Sequence, residues 1–439
     1  MLKLRRATVI DASPPARAPS WGAGAGRGEQ RLTVELAPSP SGGGAAAGEE
    51  RGGGVSQRRE AIADISLVGP VHTGDEVIVN VEALDLGLGS GGFDVVHANL
   101  TRGLEAPGAA SRNVMKLNYT SLQHTVEPVE TVGAQTLELP LGRPVAVLSL
   151  HGQLAPVAWA YAQANPGGRL GYVQTPGGAL PGAHSQTVAS LRRDGLLAGH
   201  VTAGAAYGGE LEAISVAGAL HHGIGVLGWD AAVVGPGPGI VGSSSRLGHG
   251  GMAALDSAHV ALALGCPTLL VARMSSADSR ERHRGISHHT VTVLELLLEP
   301  VTVALPAGMR SPVGEDLRAG LGAVFGDGTA TARPARALDV ERPARITRHD
   351  WRRAEVDLPA YAASGLPAET MGRSLAQDPL FFGAALAGGA ALAQLAPSGE
   401  SEPAGSANPG PALDAGPGGE AATGTALRAG PGDGGSEAA

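Results

Sequence analysis

Residues 274–290 hold Asp278, Arg280, Arg282, His283, Arg284, His288 and His289 between an apolar strand-like run and an apolar helix-like run. Guanidinium forks grip phosphates and carboxylates, and imidazole is the side chain that moves protons near neutral pH. A solvated connector needs neither at that density. The leading expectation is an anion clamp made by Arg280, Arg282 and Arg284, with Asp278 and His288 beside it. A metal centre built from Asp278, His283, His288 and His289 ranks below the clamp. Neighbouring residues on a helix point ~100° apart and rarely share one ion, and no H-E-x-x-H pattern occurs, so no metal ligand is assigned. A purely structural Arg/His network is the third reading.

Something must position these side chains, and residues 143–305 supply a regular rhythm. Apolar strand-like runs at 145–150, 170–174, 200–202, 231–234, 268–272 and 301–305 alternate with helical runs at 154–164, 185–193, 210–222, 252–264 and 288–299. Such alternation means parallel crossovers. The expected fold class is α/β: a Rossmann-like, mainly parallel sheet with helices on both faces over residues 143–330. A small β-barrel-like domain at 1–125 precedes it, because 31–36 and 76–81 alternate in strand fashion around a turn at 70–75. Residues 38–54 read as a disordered insertion, 126–142 as a linker, 331–396 as an extension packing on the α/β domain, and 397–439 as a disordered tail. A further helix is expected at 317–324. Phe381 and Phe382 are expected to pack against the sheet.

In an open parallel sheet, ligands bind beyond the carboxyl ends of the strands, where helix N-termini point. The residues just past each strand are therefore the candidate site: His151, Thr175, Thr202, Glu210, the run Gly237, Gly239, Gly242 and Ser243, then Arg273 and Ser276. His151, Glu210 and His283 are the candidate proton-transfer groups, and the others bind ligand. Gly237-Pro-Gly239-Ile-Val-Gly242 matches the dinucleotide fingerprint after a strand, yet residues 87–92 match it equally well within the β region. No nicotinamide or flavin is assigned on that basis, and the cofactor stays unknown. Ser243 stands where a Walker loop requires lysine, and no G-x-S-x-G elbow occurs.

The totals narrow the partners. The formal charge is −9, of which residues 397–439 contribute −5 through six acids against Arg428, leaving −4 for the rest. A nucleic-acid footprint is therefore not expected. Lys3 and Lys116 are the only lysines, a bias that fits a GC-rich bacterial genome, so isolated arginines carry little weight. Cys266, the lone cysteine, reads as a buried small hydrophobe. Apolar stretches are broken by Arg143, His151, Asp256 or His259, and no signal-peptide core comes after the basic start. The expectation is a cytoplasmic protein, without membrane contact, that takes a small anionic ligand and could form a homo-oligomer.

Residues 69–71, 86–92, 114–120, 235–239 and 280–290, together with Asp378-Pro-Leu-Phe-Phe382, resemble the bacterial family known as domain of unknown function 3866. The resemblance spans residues 1 to about 390 and implies one unit with no assigned activity. Gly152 stands where the family tends to have serine, and Pro176 where it has aspartate. If those residues carry family chemistry, this member is altered. Three functional readings remain open: an enzyme acting on a phosphorylated or carboxylated metabolite, a non-catalytic sensor of a nucleotide-like ligand, and a scaffold.

Overall fold

Apolar residues at every second position give the N-terminal strands one inward face, and the strands close on themselves. The computed structural model describes residues 2–14, 28–38, 57–87, 92–102, 114–131, 136–178, 180–307 and 344–396. The expected insertion beyond Pro38, the expected helix at 317–324 and the tail lie outside these residues. Strands β1 (Leu4–Ala12), β2 (Glu29–Leu36), β3 (Gln57–Asp64), β4 (Glu76–Asn80) and β5 (Asp94–Asn99) form a closed barrel in the order β1-β2-β3-β5-β4. Its interior is filled by Val9, Leu32, Val34, Val77 and Val79, all buried. Helices α1 (Ile65–Val68) and α2 (Glu82–Asp85) are single turns at strand ends. Closure leaves no edge strand exposed.

A hairpin, β6 (Val114–Lys116) with β7 (His124–Val126), comes after the barrel. Next are β8 (Val145–Val147), α3 (Leu154–Ala164), β9 (Leu170–Thr175), α4 (Gln186–Arg193), β10 (Gly199–Ala203), β11 (Leu211–Ala213), α5 (Val216–His221), β12 (Ala231–Pro236), α6 (Ala253–Ala263) and β13 (Thr268–Leu270). The hairpin β14 (Met274–Ser275) and β15 (Gly285–Ile286) leads into α7 (His288–Leu296) and β16 (Thr302–Pro306). The described chain ends with β17 (Asp350–Ala354), α8 (Leu358–Ala363), the hairpin β18 (Glu369–Thr370) and β19 (Arg373–Ser374), and α9 (Pro379–Leu395).

Eight strands form one parallel sheet in the order β11-β10-β9-β12-β8-β13-β16-β17. The central strands are apolar throughout because both faces are covered. Helices α5, α6 and α7 pack on one face through Leu220, Ala258 and Val293, and α3, α4 and α9 on the other through Val157, Leu191 and Phe382. Phe381 and Phe382 are buried there, against the sheet side. Cys266 is buried and free. Among the described residues no helix is long and apolar enough to cross a membrane. The described residues fall in one compact unit.

Two details depart from the sequence reading. The helix expected over 210–222 begins only at Val216, because residues 211–213 pair with β10 as an extra parallel strand. Asp350–Ala354 adds an eighth strand beside β16. Elsewhere the sheet closes around a single indole. Trp229 lies against Gly171, Gly199 and Gly223, where an added Cβ would sit 2.0, 3.0 and 2.3 Å from the ring.

Candidate functional site

The order of the strands creates a crevice. The chain leaving β9 moves outward to β10, whereas the chain leaving β12 passes β8 to reach β13. Connections diverge around β12 and β8, and such reversals open a gap at the carboxyl edge. Gln153 fixes the floor: its Oε1 accepts from the N–H groups of Ser149 and Leu150 (both 3.1 Å), and its Nε2 donates to Ala272 O (3.1 Å). A cleft of about 660 Å³ opens above it. The barrel contributes Glu29, Arg31 and Phe93 to one wall, and the β18–β19 turn contributes Thr370 and Met371 to another.

His151 leaves the end of β8 and points its Nε2 at Ser185 Oγ, 2.8 Å away. Its Nδ1 faces Pro236 O at 3.3 Å. Donation from Nδ1–H to that carbonyl leaves the Nε2 lone pair to accept the serine hydroxyl proton. Ser185 is also the N-cap of α4, accepting from Val188 N at 3.2 Å. Burial lowers the His151 pKa to about 4, so the ring is neutral at neutral pH. The Cβ of any side chain at 152 would lie 2.6 Å from Thr370 Oγ1, so the β18–β19 turn occupies the space beside His151 that glycine leaves open.

The Arg/His segment divides in two. Asp278 is buried and takes a two-pronged grip from Arg280, with Nε and Nη2 each at 2.9 Å, and a further contact from Arg373 at 3.4 Å. Burial alone would raise its pKa. The Arg280 hydrogen bonds and charge overcome this and hold the carboxyl well below the usual carboxylate range. Arg284 Nε donates to the Asp278 carbonyl at 3.0 Å. Buried Asp378, at the head of α9, accepts from Ser275 Oγ (2.6 Å), Ser276 N (2.8 Å) and Arg373 Nε (3.0 Å). This half is a satisfied polar network that clamps the loop to α9.

The other half is not satisfied. Arg282 lines the cleft with its Nε buried and without a hydrogen-bond partner. His283 and His289 line the same cleft, and His288 and His249 pack behind them, all four rings buried. His249 stacks on His289 at 3.5 Å between ring centres, and His283 lies 4.9 Å from both His288 and His289. Nε2 of His288 lacks a partner. Arg273 Nη1 donates to His289 Nδ1 at 2.9 Å. Burial, reinforced by nearby arginines, lowers His283 to about 3; burial and His249 lower His288 to about 4. His289 is also pushed far down, by burial first and then by Arg273. Burial lowers Arg273 itself to about 10, against the pull of Asp278.

The cleft thus gathers His151, Gly237, Gly239, Gly242, Ser243, Arg273, Arg280, Arg282 and His283. The remaining candidates lie elsewhere. Thr175 donates to Pro176 O, and Thr202 to Glu212 at 2.7 Å. Glu210 pairs with Arg192; burial raises it to about 7 despite that cation. Ser276, Asp278 and Arg284 serve the Asp278–Asp378 network, and His288 stands behind His283. Sequence reasoning missed Ser185, Arg31 and His249. Only Ser185 carried a local signal, a serine directly before a helical run.

Compared with known proteins, the chain matches the model of one family, described as Protein of unknown function (DUF3866), over residues 60–389. No curated protein and no solved structure matches it.

Proposed function

The chain belongs to that family, whose description names no activity, and from its site we propose that it is a small-molecule enzyme holding a phosphorylated or carboxylated metabolite of the cytoplasm. One observation carries the reading: Arg282 offers a buried, unpartnered guanidinium nitrogen at the wall of the cleft. Buried donors without partners are rare in folded proteins, and an anion in the cleft satisfies this one once the guanidinium turns outward. Arg31 and Arg273 add positive charge to the same space, against Glu29 and Glu369. Glycines at 237, 239 and 242 line the same cleft.

His151 and Ser185 supply the chemistry in this reading. Ser185 Oγ–H is placed to give its proton to His151 Nε2, while the Pro236 carbonyl holds the opposite side of the ring. A bound anion nearby favours the charged imidazolium and makes the proton easier to accept. Arg280 and Arg284 take the structural reading instead, since Asp278 already occupies them.

Calorimetric titration of the full chain with inorganic phosphate and with a small dicarboxylate tests the assignment. Wild type is expected to bind at least one of them, and Arg282→Ala to lose at least tenfold in affinity. Unchanged affinity in the variant would remove Arg282 from the site and take the functional reading with it.

A further inference from the structure

Behind the arginine wall lies a cluster that anion binding does not use. We propose that His283, His288 and His289 form a binding site for a divalent d-block cation such as zinc. One donor nitrogen from each ring already lies within 4.8 Å of the other two, and all three residues are buried. His288 Nε2 is buried with no partner. His283 Nδ1 meets Ser287 Oγ at 2.8 Å, which fixes that ring and leaves Nε2 free to ligate. Neutral imidazole is the form that binds such an ion.

Neighbouring histidines diverge within a regular helix, but these two stand at a helix start. His288 is the first residue of α7, with Ser287 as N-cap, so the two rings flank that start and face His283 across it. Their centres are 4.5 Å apart at an interplanar angle of 59°. Tetrahedral zinc with bonds of ~2.0–2.1 Å needs donors about 3.4 Å apart, so the cluster closes by up to about 1.4 Å around the ion. Rotation about side-chain torsions spans that distance.

Arg273 is the competitor. Its Nη1 occupies the His289 Nδ1 lone pair. An ion taking that atom displaces the guanidinium towards Asp278, whose Oδ2 is already 3.7 Å from Nη2. An ion taking Nε2 requires the ring proton to move to Nδ1, and the Arg273 N–H must then give up that nitrogen. The cationic surroundings favour an ion whose remaining position carries an anionic ligand. Three histidines and one open position is an arrangement that activates such a ligand. His283 and His289 border the cleft, so that position opens into it.

Tag-free full-length protein, stripped with chelator and dialysed into phosphate-free buffer, is titrated with zinc chloride and separately with cobalt(II). One equivalent of zinc is expected to bind with micromolar affinity or better, and cobalt to give the visible absorption of a tetrahedral nitrogen site. His288→Ala and His289→Ala should each weaken zinc at least 100-fold. Absence of stoichiometric zinc binding, or cobalt spectra of the hexaaqua ion, overturns the proposal and needs no variant. Folded variants that bind as wild type overturn it equally. With no phosphate in the titration, failure here leaves the anion reading standing, and failure of the phosphate titration leaves this one standing.

Discussion

Arg280 and Arg282 are two residues apart in one loop and live in opposite conditions. The first grips a buried carboxylate with two nitrogens, inside a network whose members all find partners. The second keeps an orphaned nitrogen, in front of His288, whose Nε2 also lacks a partner. A sequence dense in charge therefore says little by itself about function. The difference is made by Asp278 and Asp378, which neutralise one half of the segment and leave the other half for something outside the chain.

The sharpest way to break this contrast is to remove the carboxylate. Asp278→Ala leaves the buried Arg273 and the largely buried Arg373 without their carboxylate, while the half-exposed Arg280 returns to water, so the cost falls at the low end for a buried pair, about 3 kcal/mol. Calorimetry should show a melting temperature lower by about 5 °C. A change under about 2 °C would mean that the satisfied half holds nothing together.

Acid probes the other half. His283 and His288 are neutral when folded, with pKa values of about 3 and about 4, against an ordinary value near 6.5 in the unfolded chain. Unfolding then takes up protons below pH 6.5. Their contribution is complete above that value and is lost as the pH falls towards 4. By pH 5.5 the pair should reduce stability by about 2 kcal/mol in urea titrations of metal-free protein. The loss should be smaller in a His283→Asn, His288→Asn double variant. Equal acid sensitivity would locate the titration elsewhere.

The smallest effect is the most telling. Arg282→Ala without ligand should melt within about 3 °C of wild type, under ~2 kcal/mol, because no internal carboxylate is abandoned. A much deeper loss would return Arg282 to the structural side and erase the contrast with Arg280.

The sheet was largely legible because its strands are short apolar runs separated by helices. β11 and β17 were not. Leu211–Ala213 comes directly after Glu210 with no break; its strand state comes from pairing with β10, and Glu212 also meets buried Lys116 at 2.8 Å, a contact 96 positions away. Asp350–Ala354 reads Asp-Trp-Arg-Arg-Ala, with only Ala354 buried, so an edge strand lacks the expected pattern. Within the site, the Arg/His loop announced itself by composition. Its division in two did not, since Asp378 stands 102 positions beyond the Ser276 it holds. Arg31 comes from the barrel, and His249 reaches His289 from the loop before α6. Side chains that converge only through tertiary folding leave no spacing to read.

The three glycines around Trp229 have a consequence for inheritance. An alanine at 171 or 223 would overlap the indole by more than an ångström, and one at 199 would press on its edge. Positions 171 and 223 cannot gain a side chain while the tryptophan stays, and a smaller residue at 229 would leave a void beneath β9 and β10. Those three positions should drift as a set. A relative with alanine at 171 or 223 is expected to carry a smaller residue in place of the indole, so genealogies of this fold should record paired changes here and few single ones.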